Sequence, residues 1–236
     1  MIERKLLFPT TVIENFYDNP DSIRELALKL PYNENPGYYP GRKTPNLSAI
    51  DPELNYKICK KFMSTFYDFL HPIDFEIKTE FDLAYKHSDD KYDPINRGWI
   101  HQDSGSVIAG IVYLTPNANS DSGTNLYAPK KTIREDWFNV LDENSNARFP
   151  AFKSYGKQYD VESYNAKYYE TESFFNKILT VDNIYNRLIV FDAAHWHGYN
   201  TLVCGNDPRL VQLFFVQKIG PYHVDPPYVR IRNTTL

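Results

Sequence analysis

The sequence predicts a mainly β fold, a sandwich or barrel buttressed by helices near its N-terminus. Two observations carry this expectation. From residue 75 the apolar residues recur with a period of two, in short runs separated by turns. Two segments with helical spacing precede most of those runs. The 236 residues are enough for one large domain with a sizeable core.

The first helix is expected over 19–30. Asn19 suits the N-cap and Pro20 the first helical position, and Ile23, Leu26, Ala27 and Leu30 follow at helical spacing. The second is expected from about 52 to 70. Asp51 caps it, Pro52 opens it, and Leu54, Ile58, Phe62, Phe66 and Phe69 form one apolar stripe. The Pro-, Gly- and Asn-rich stretch between them, NENPGYYPGRKTPN, reads as a loop. A long half-buried strand is marked by Phe75, Ile77, Thr79, Phe81, Leu83 and Tyr85. Further strands are expected over 98–102, 106–114, 124–127, 187–192 and 209–217. The stretch 128–180 is polar and Tyr-rich, with a helix expected near 168–179, and reads as an insertion of the kind that forms lids. The expected organisation is thus one domain over 1–236. Residues 1–72 form helical support, 73–127 and 181–218 the β core, and 128–180 the insertion.

Composition narrows the function classes. With 19 Tyr and 15 Phe the chain can bury enough apolar surface to escape disorder. A net charge of -4 disfavours a broad nucleic-acid-binding surface, and the run Lys130, Lys131, Arg134 reads as a solvated loop. No apolar stretch reaches the ~18 residues of a membrane span. The N-terminal MIERKLLFPTTVIENF lacks a secretory pattern. Cys59 and Cys204 form no CxxC pair, which fits a reducing cytoplasm.

Three segments carry chemistry. In Gly98-Trp99-Ile100-His101-Gln102-Asp103, extended backbone places residues i and i+2 on one face, so His101 and Asp103 can meet one cation. The apolar run RLIVFD, 187–192, leads into Ala193-Ala194-His195-Trp196-His197-Gly198-Tyr199-Asn200. A histidine there would complete a two-His, one-carboxylate triad with open positions for a co-substrate and O₂. Either His195 or His197 could serve; His197, followed by a glycine and a turn, is favoured. No thiolate joins this set, which argues against structural zinc. Arg209 opens a strand twelve residues after His197 and shares a face with Val211, Leu213 and Phe215. A guanidinium pointed inward needs an anion, either an internal carboxylate or a bound one. His71, His87 and His223 sit in ordinary contexts, and Ser120-Asp121-Ser122-Gly123 lacks calcium-loop spacing. Trp99 and Trp196, beside the candidate ligands, are expected to pack or to wall a pocket.

The order HxD, long gap, His, then Arg resembles the 2-oxoglutarate/Fe(II)-dependent oxygenase superfamily, in its prolyl-hydroxylase-like branch. The likeness is nearest to small oxygenase-like proteins of marine cyanophages and bacteria. It rests on NFYDNPDSIRELAL, GYYPGRKT, WIHQDSGSVIAGIVYLTPNA, SGTNLY and NRLIVFDAAHWHGYN…RLVQLFFV. The resemblance implies a double-stranded β-helix, or jelly roll. It implies Fe(II) on His101, Asp103 and His197, and 2-oxoglutarate held by Arg209 with Tyr113 as hydroxyl donor. It gives Gly123-Thr124 a role in backbone geometry. It implies hydroxylation of an unidentified substrate with O₂, releasing succinate and CO₂, in a host cytoplasm if the chain is phage-encoded. Three other classes are weighed: a cupin-like metal enzyme that does not use 2-oxoglutarate, a non-catalytic jelly-roll binding protein, and an inactive structural or interaction protein of phage origin, against which the intact triad argues.

Overall fold

In the computed structural model, which describes residues 5–70, 72–131, 135–220 and 225–227, both expected helices are capped as their sequences require. The Asn19 carboxamide accepts a hydrogen bond from the Ser22 backbone N–H at the start of α1, Pro20–Lys29. A short helix, α2, spans Leu47–Ile50. Asp51 accepts from the Leu54 N–H to open α3, Pro52–Met63. The α3 stripe buries Ile58, Phe62 and Phe66 as expected, yet the helix ends seven residues early. Thr65 and Phe66 donate to carbonyls three residues back, tightening the last turn, and Phe69 then takes a positive φ of 58°.

Nine strands follow from the pairing among the described residues. They are β1 Thr11–Ile13, β2 Gly41–Lys43, β3 Asp74–Ala84, β4 Ile108–Tyr113, β5 Thr124–Pro129, β6 Phe175–Val181, β7 Leu188–Asp192, β8 Trp196–Tyr199 and β9 Arg209–Gly220. They build an antiparallel six-stranded sheet, β1-β7-β4-β9-β3-β2, and an antiparallel three-stranded sheet, β6-β5-β8. The arrangement is mainly β with flanking helices, a jelly-roll-like fold.

Strand alternation divides the large sheet into two faces. Ile108, Val112, Leu188, Val190, Leu210 and Phe214 lie on the face packed against the helices. There the rings of Phe62 and Phe214 stack with centroids 4.5 Å apart. Gly110 makes room for this contact, since a Cβ at that position would strike the Phe62 ring. The opposite face carries Tyr113, Ile189, Phe191 and Val211 in a second core shared with Leu126 and Val181 of the small sheet.

Several expectations are corrected. The loop 33–46 contains β2, which pairs with β3 at Asp82–Ala84; the partner strand, not the local Gly/Pro composition, decides this. Residues 98–102 form no strand beyond a single bridge between His101 and His197. The stretch 128–180 begins with the end of β5, holds helices α4 Trp137–Ser145, α5 Arg148–Lys153 and α6 Val161–Ser173, and ends in β6. The helix expected near 168–179 therefore stops at Ser173, where pairing with β5 takes over. His71, Arg134 and His223 lie outside the described residues; Lys130 and Lys131 are exposed.

Candidate metal centre and cavity

The approach of the HxD segment to β8 builds the centre. Gly98 donates its N–H to the Tyr199 carbonyl, and His101 and His197 exchange backbone hydrogen bonds of 3.0 and 2.9 Å. A Cβ on Gly98 would collide with the Tyr199 backbone, so glycine is what permits this closeness. A Cβ on Gly123 would likewise meet the Val181 carbonyl, in line with a purely geometric role for that turn. The Asp103 N–H donates to the Ala193 carbonyl, which ties the carboxylate-bearing turn to the end of β7.

These contacts gather three side chains. Potential ligand atoms of His101, Asp103 and His197 all lie within 4.8 Å of one another. Nε2 of His197 is 3.4 Å from one Asp103 oxygen, and Nε2 of His101 is 3.8 Å from the other. The two imidazoles lie 4.3 Å apart between centroids. Nδ1 of His101 donates to the Trp99 carbonyl at 2.8 Å, and Nδ1 of His197 to the His195 carbonyl at 2.9 Å. A carbonyl can only accept, so Nδ1 carries the proton and the Nε2 lone pair is left for a cation. Burial, with His197 next to it, pushes His101 down to about 4, which keeps that imidazole neutral near pH 7. His195 is not in this group. Its carbonyl orients His197 instead. His87 also stands apart, stacked on Phe152 with centroids 6.0 Å apart.

The cluster opens into a cavity of about 250 Å³ whose walls include Phe191, Leu213 and Phe215. Arg209 also lines it and is 4 % exposed. Its Nε donates to the Ser122 carbonyl at 3.0 Å, and its guanidinium lies 5.7 Å from the Tyr113 ring centroid and 5.8 Å from that of Tyr199. Among the described residues no carboxylate forms a direct ion pair with it; the buried Asp82 carboxylate, which also lines the cavity, acts on it only electrostatically. The expected face is present: Arg209, Leu213 and Phe215 line the cavity, and Val211 is buried beside them.

Tyr113 is fully buried beside Arg209, and its hydroxyl donates to Thr124 Oγ1 at 2.7 Å. Thr124 lines the cavity, and Tyr113 is not among the lining residues. Tyr199 lines it too, and its buried hydroxyl has no hydrogen-bond partner among the described residues. Burial pushes that phenol well above its ordinary value, so it stays a protonated donor. The sequence offered a signal for Tyr199, because it lies at i+2 from His197 and so shares its face. Trp99 lines the cavity and donates Nε1–H to the Tyr164 hydroxyl of α6, whereas Trp196 packs against Trp137 and Phe175.

A family model described as "Family of unknown function (DUF6445)" matches residues 6–201. The chain belongs to the DUF6445 family. The matched stretch of this DUF6445 chain takes in His101, Asp103 and His197 and ends before Arg209. No curated protein matches it by sequence. Among solved structures, it is similar to HygX from Streptomyces hygroscopicus, solved with nickel and 2-oxoglutarate bound. That pair has 12 % identity over 93 % of this chain and 85 % of HygX, with a TM-score of 0.55. A HygX structure with nickel, 2-oxoglutarate and hygromycin B bound shares 14 % identity over 93 % and 86 %, with a TM-score of 0.52. SnoN, a non-heme alpha ketoglutarate dependent epimerase from nogalamycin biosynthesis, shares 12 % over 91 % and 82 %, with a TM-score of 0.50. At such identities the likeness is one of fold: the DUF6445 chain shares the jelly-roll-like fold of HygX and SnoN. Among the described residues no helix is long and apolar enough to cross a membrane.

Proposed function

We propose that the chain is a non-haem Fe(II)- and 2-oxoglutarate-dependent dioxygenase that hydroxylates a substrate and releases succinate and CO₂. One observation carries the reading: a two-His, one-carboxylate cluster and a buried guanidinium that makes no direct ion pair among the described residues open into the same cavity. Two imidazoles, each with Nδ1 bonded to a backbone carbonyl and Nε2 turned to the cluster, and a carboxylate suit ferrous iron and leave coordination positions open. Bound there, the iron and its co-substrate would supply the oxidising chemistry, drawing on O₂ as 2-oxoglutarate is decarboxylated.

The protein supplies position and surroundings. His101, Asp103 and His197 hold the metal, with both rings oriented by their Nδ1–H bonds to backbone carbonyls. Arg209 receives the distal carboxylate of 2-oxoglutarate, for which its planar fork is matched. The free hydroxyl of Tyr199 donates to the same carboxylate, and Tyr113 acts one layer back by holding Thr124. Apolar walls at Phe191, Leu213 and Phe215 exclude water. Helices α4–α6, inserted into the single domain, act as a lid over the substrate side. Cys59 and Cys204, both free and buried, fit a cytoplasmic setting. The narrower kinship with phage and marine bacterial proteins rests on the quoted segments alone.

Anaerobic reconstitution with Fe(II) and 2-oxoglutarate tests this. The wild type should develop the weak visible charge-transfer band and yield succinate once O₂ is admitted, and His101→Ala should do neither. Arg209→Ala should keep metal binding but weaken 2-oxoglutarate on the order of ten- to a hundredfold, the scale of lost charge-assisted hydrogen bonds. No band in folded, iron-saturated wild type would overturn the oxygenase reading. Unchanged 2-oxoglutarate affinity in Arg209→Ala would favour a metal enzyme with no such co-substrate.

A further inference from the structure

With iron and 2-oxoglutarate in place, the charges that the described residues bring to the cavity cancel but for one. A divalent ion and Arg209 are balanced by Asp103 and the dianionic co-substrate. On the β2–β3 wall, Lys43 and Lys78 each lie 2.8 Å from a Glu80 oxygen, and Asp82 faces Lys43 in register. Two lysines there meet two carboxylates. Arg148 is what remains.

Arg148 stands at the start of α5 and lines the same cavity as the metal cluster. Its Nε donates to the Ser145 carbonyl at 3.1 Å, which fixes the side chain. Among the described residues it makes no ion pair. Burial lowers its pKa, and the groups in electrostatic reach are the Tyr199 and Tyr164 phenols and His101. A desolvated cation near a metal centre is costly unless an anion accompanies it. The surrounding wall is aromatic, with Tyr38, Tyr39, Trp99, Phe152 and Phe215.

We propose that Arg148 determines specificity by receiving the carboxylate of the prime substrate, an organic acid with an apolar or aromatic body. This rests on the iron and 2-oxoglutarate reading, because the charge balance assumes both. A single uncompensated positive charge calls for a single negative one. The planar guanidinium takes a carboxylate through two hydrogen bonds, and the aromatic wall takes the rest of the molecule.

The test uses zinc-substituted, 2-oxoglutarate-loaded protein and two matched probes, 4-fluorobenzoate and 4-fluorobenzamide, followed by ¹⁹F NMR. Wild type should bind the acid about tenfold or more tightly than the amide. Arg148→Gln should bring that ratio close to one, with amide and 2-oxoglutarate affinities unchanged. Arg148→Lys keeps the charge and loses the fork; it should retain part of the preference, and it serves if the glutamine variant does not fold. Four results would overturn the proposal: no acid binding at millimolar concentration, an undiminished ratio in a folded variant, acid binding that expels 2-oxoglutarate, or a variant that loses 2-oxoglutarate as strongly as the acid. If wild type takes up no 2-oxoglutarate, the oxygenase reading falls instead. The acid–amide contrast in the unloaded protein then still decides whether Arg148 is an anion site.

Discussion

Two tyrosines in this chain differ in what their hydroxyls meet, and that difference makes them separable by experiment. The Tyr113 hydroxyl donates to Thr124, while the Tyr199 hydroxyl is buried beside Arg209 with no partner among the described residues. An unpaired buried hydroxyl costs about 1–3 kcal/mol of folding free energy. Tyr199→Phe should therefore stabilise the protein without co-substrate, by about 1 kcal/mol, while weakening 2-oxoglutarate several-fold. Tyr113→Phe should do the reverse, lowering stability by about 1 kcal/mol through the bond lost at Thr124, with a smaller effect on 2-oxoglutarate. Urea denaturation and calorimetric titration of the two variants read both quantities. Equal loss of co-substrate affinity in both would show that the distinction is wrong. His101, Asp103, His197 and Arg209 were legible as a set because their types and order carry chemistry. The choice between Tyr113 and Tyr199 was not, since a tyrosine's hydroxyl partner depends on which strand lies opposite.

At the scale of elements, the metal cluster depends on one backbone approach. The segment from Gly98 to His101 runs against β8 with hydrogen bonds at both ends, and no side chain at position 98 fits between them. Gly98→Ala should push His101 away from His197 and cut Mn(II) affinity by about tenfold or more, as a first ligand leaves the tolerance of roughly half an ångström that such sites need. Titration of the folded variant with Mn(II) checks this, and unchanged affinity would show that the bridge at His101 does not set the site. The helices α1 and α3 and the strands β3 and β9 were readable from periodicity, and β4 and β7, buried along almost their whole length, from their apolar runs. β2, β6 and β8 were not. β2 and β8 are three and four residues long, β6 is exposed along most of its length, and each owes its extended form to a neighbour.

Across the whole molecule, the helical segment α4–α6 is tied to the β body through buried polar and aromatic contacts. His87 stacks on Phe152 of α5, Lys153 donates to the Asn35 carbonyl at 3.1 Å, and Trp99 bonds Tyr164 of α6. Burial lowers the His87 pKa below its ordinary 6.5, with the Tyr155 backbone partly offsetting the shift. The unfolded chain takes up a proton near that ordinary value, and the folded chain only further down. The contribution of His87 is thus fully present above pH 6.5 and is lost as the pH falls through its folded value. His195 shifts in the same direction. Asp82 and Glu172, pushed up by burial, take protons more readily when folded and oppose the trend at lower pH. A variant comparison isolates His87. The urea midpoint of wild type should fall between pH 7.5 and 5.5 by more than that of His87→Gln. Parallel curves would remove His87 as a pH-sensitive tie.

The sequence by itself determined the mainly β character, the two capped helices, the kinds of side chain that gather at the candidate metal centre, and the inward face of β9. Each of these is written within a few neighbouring residues, as a period, a cap or a ligand type. Tertiary structure decided that the cluster includes His197 and not His195, that Tyr199 and Arg148 face the cavity, and that residues 175–181 join the small sheet. Those outcomes depend on pairings between strands far apart in the chain. No local pattern encodes which of two histidines, two residues apart, a distant segment will approach; backbone hydrogen bonds and close packing select it only when the sheets have formed.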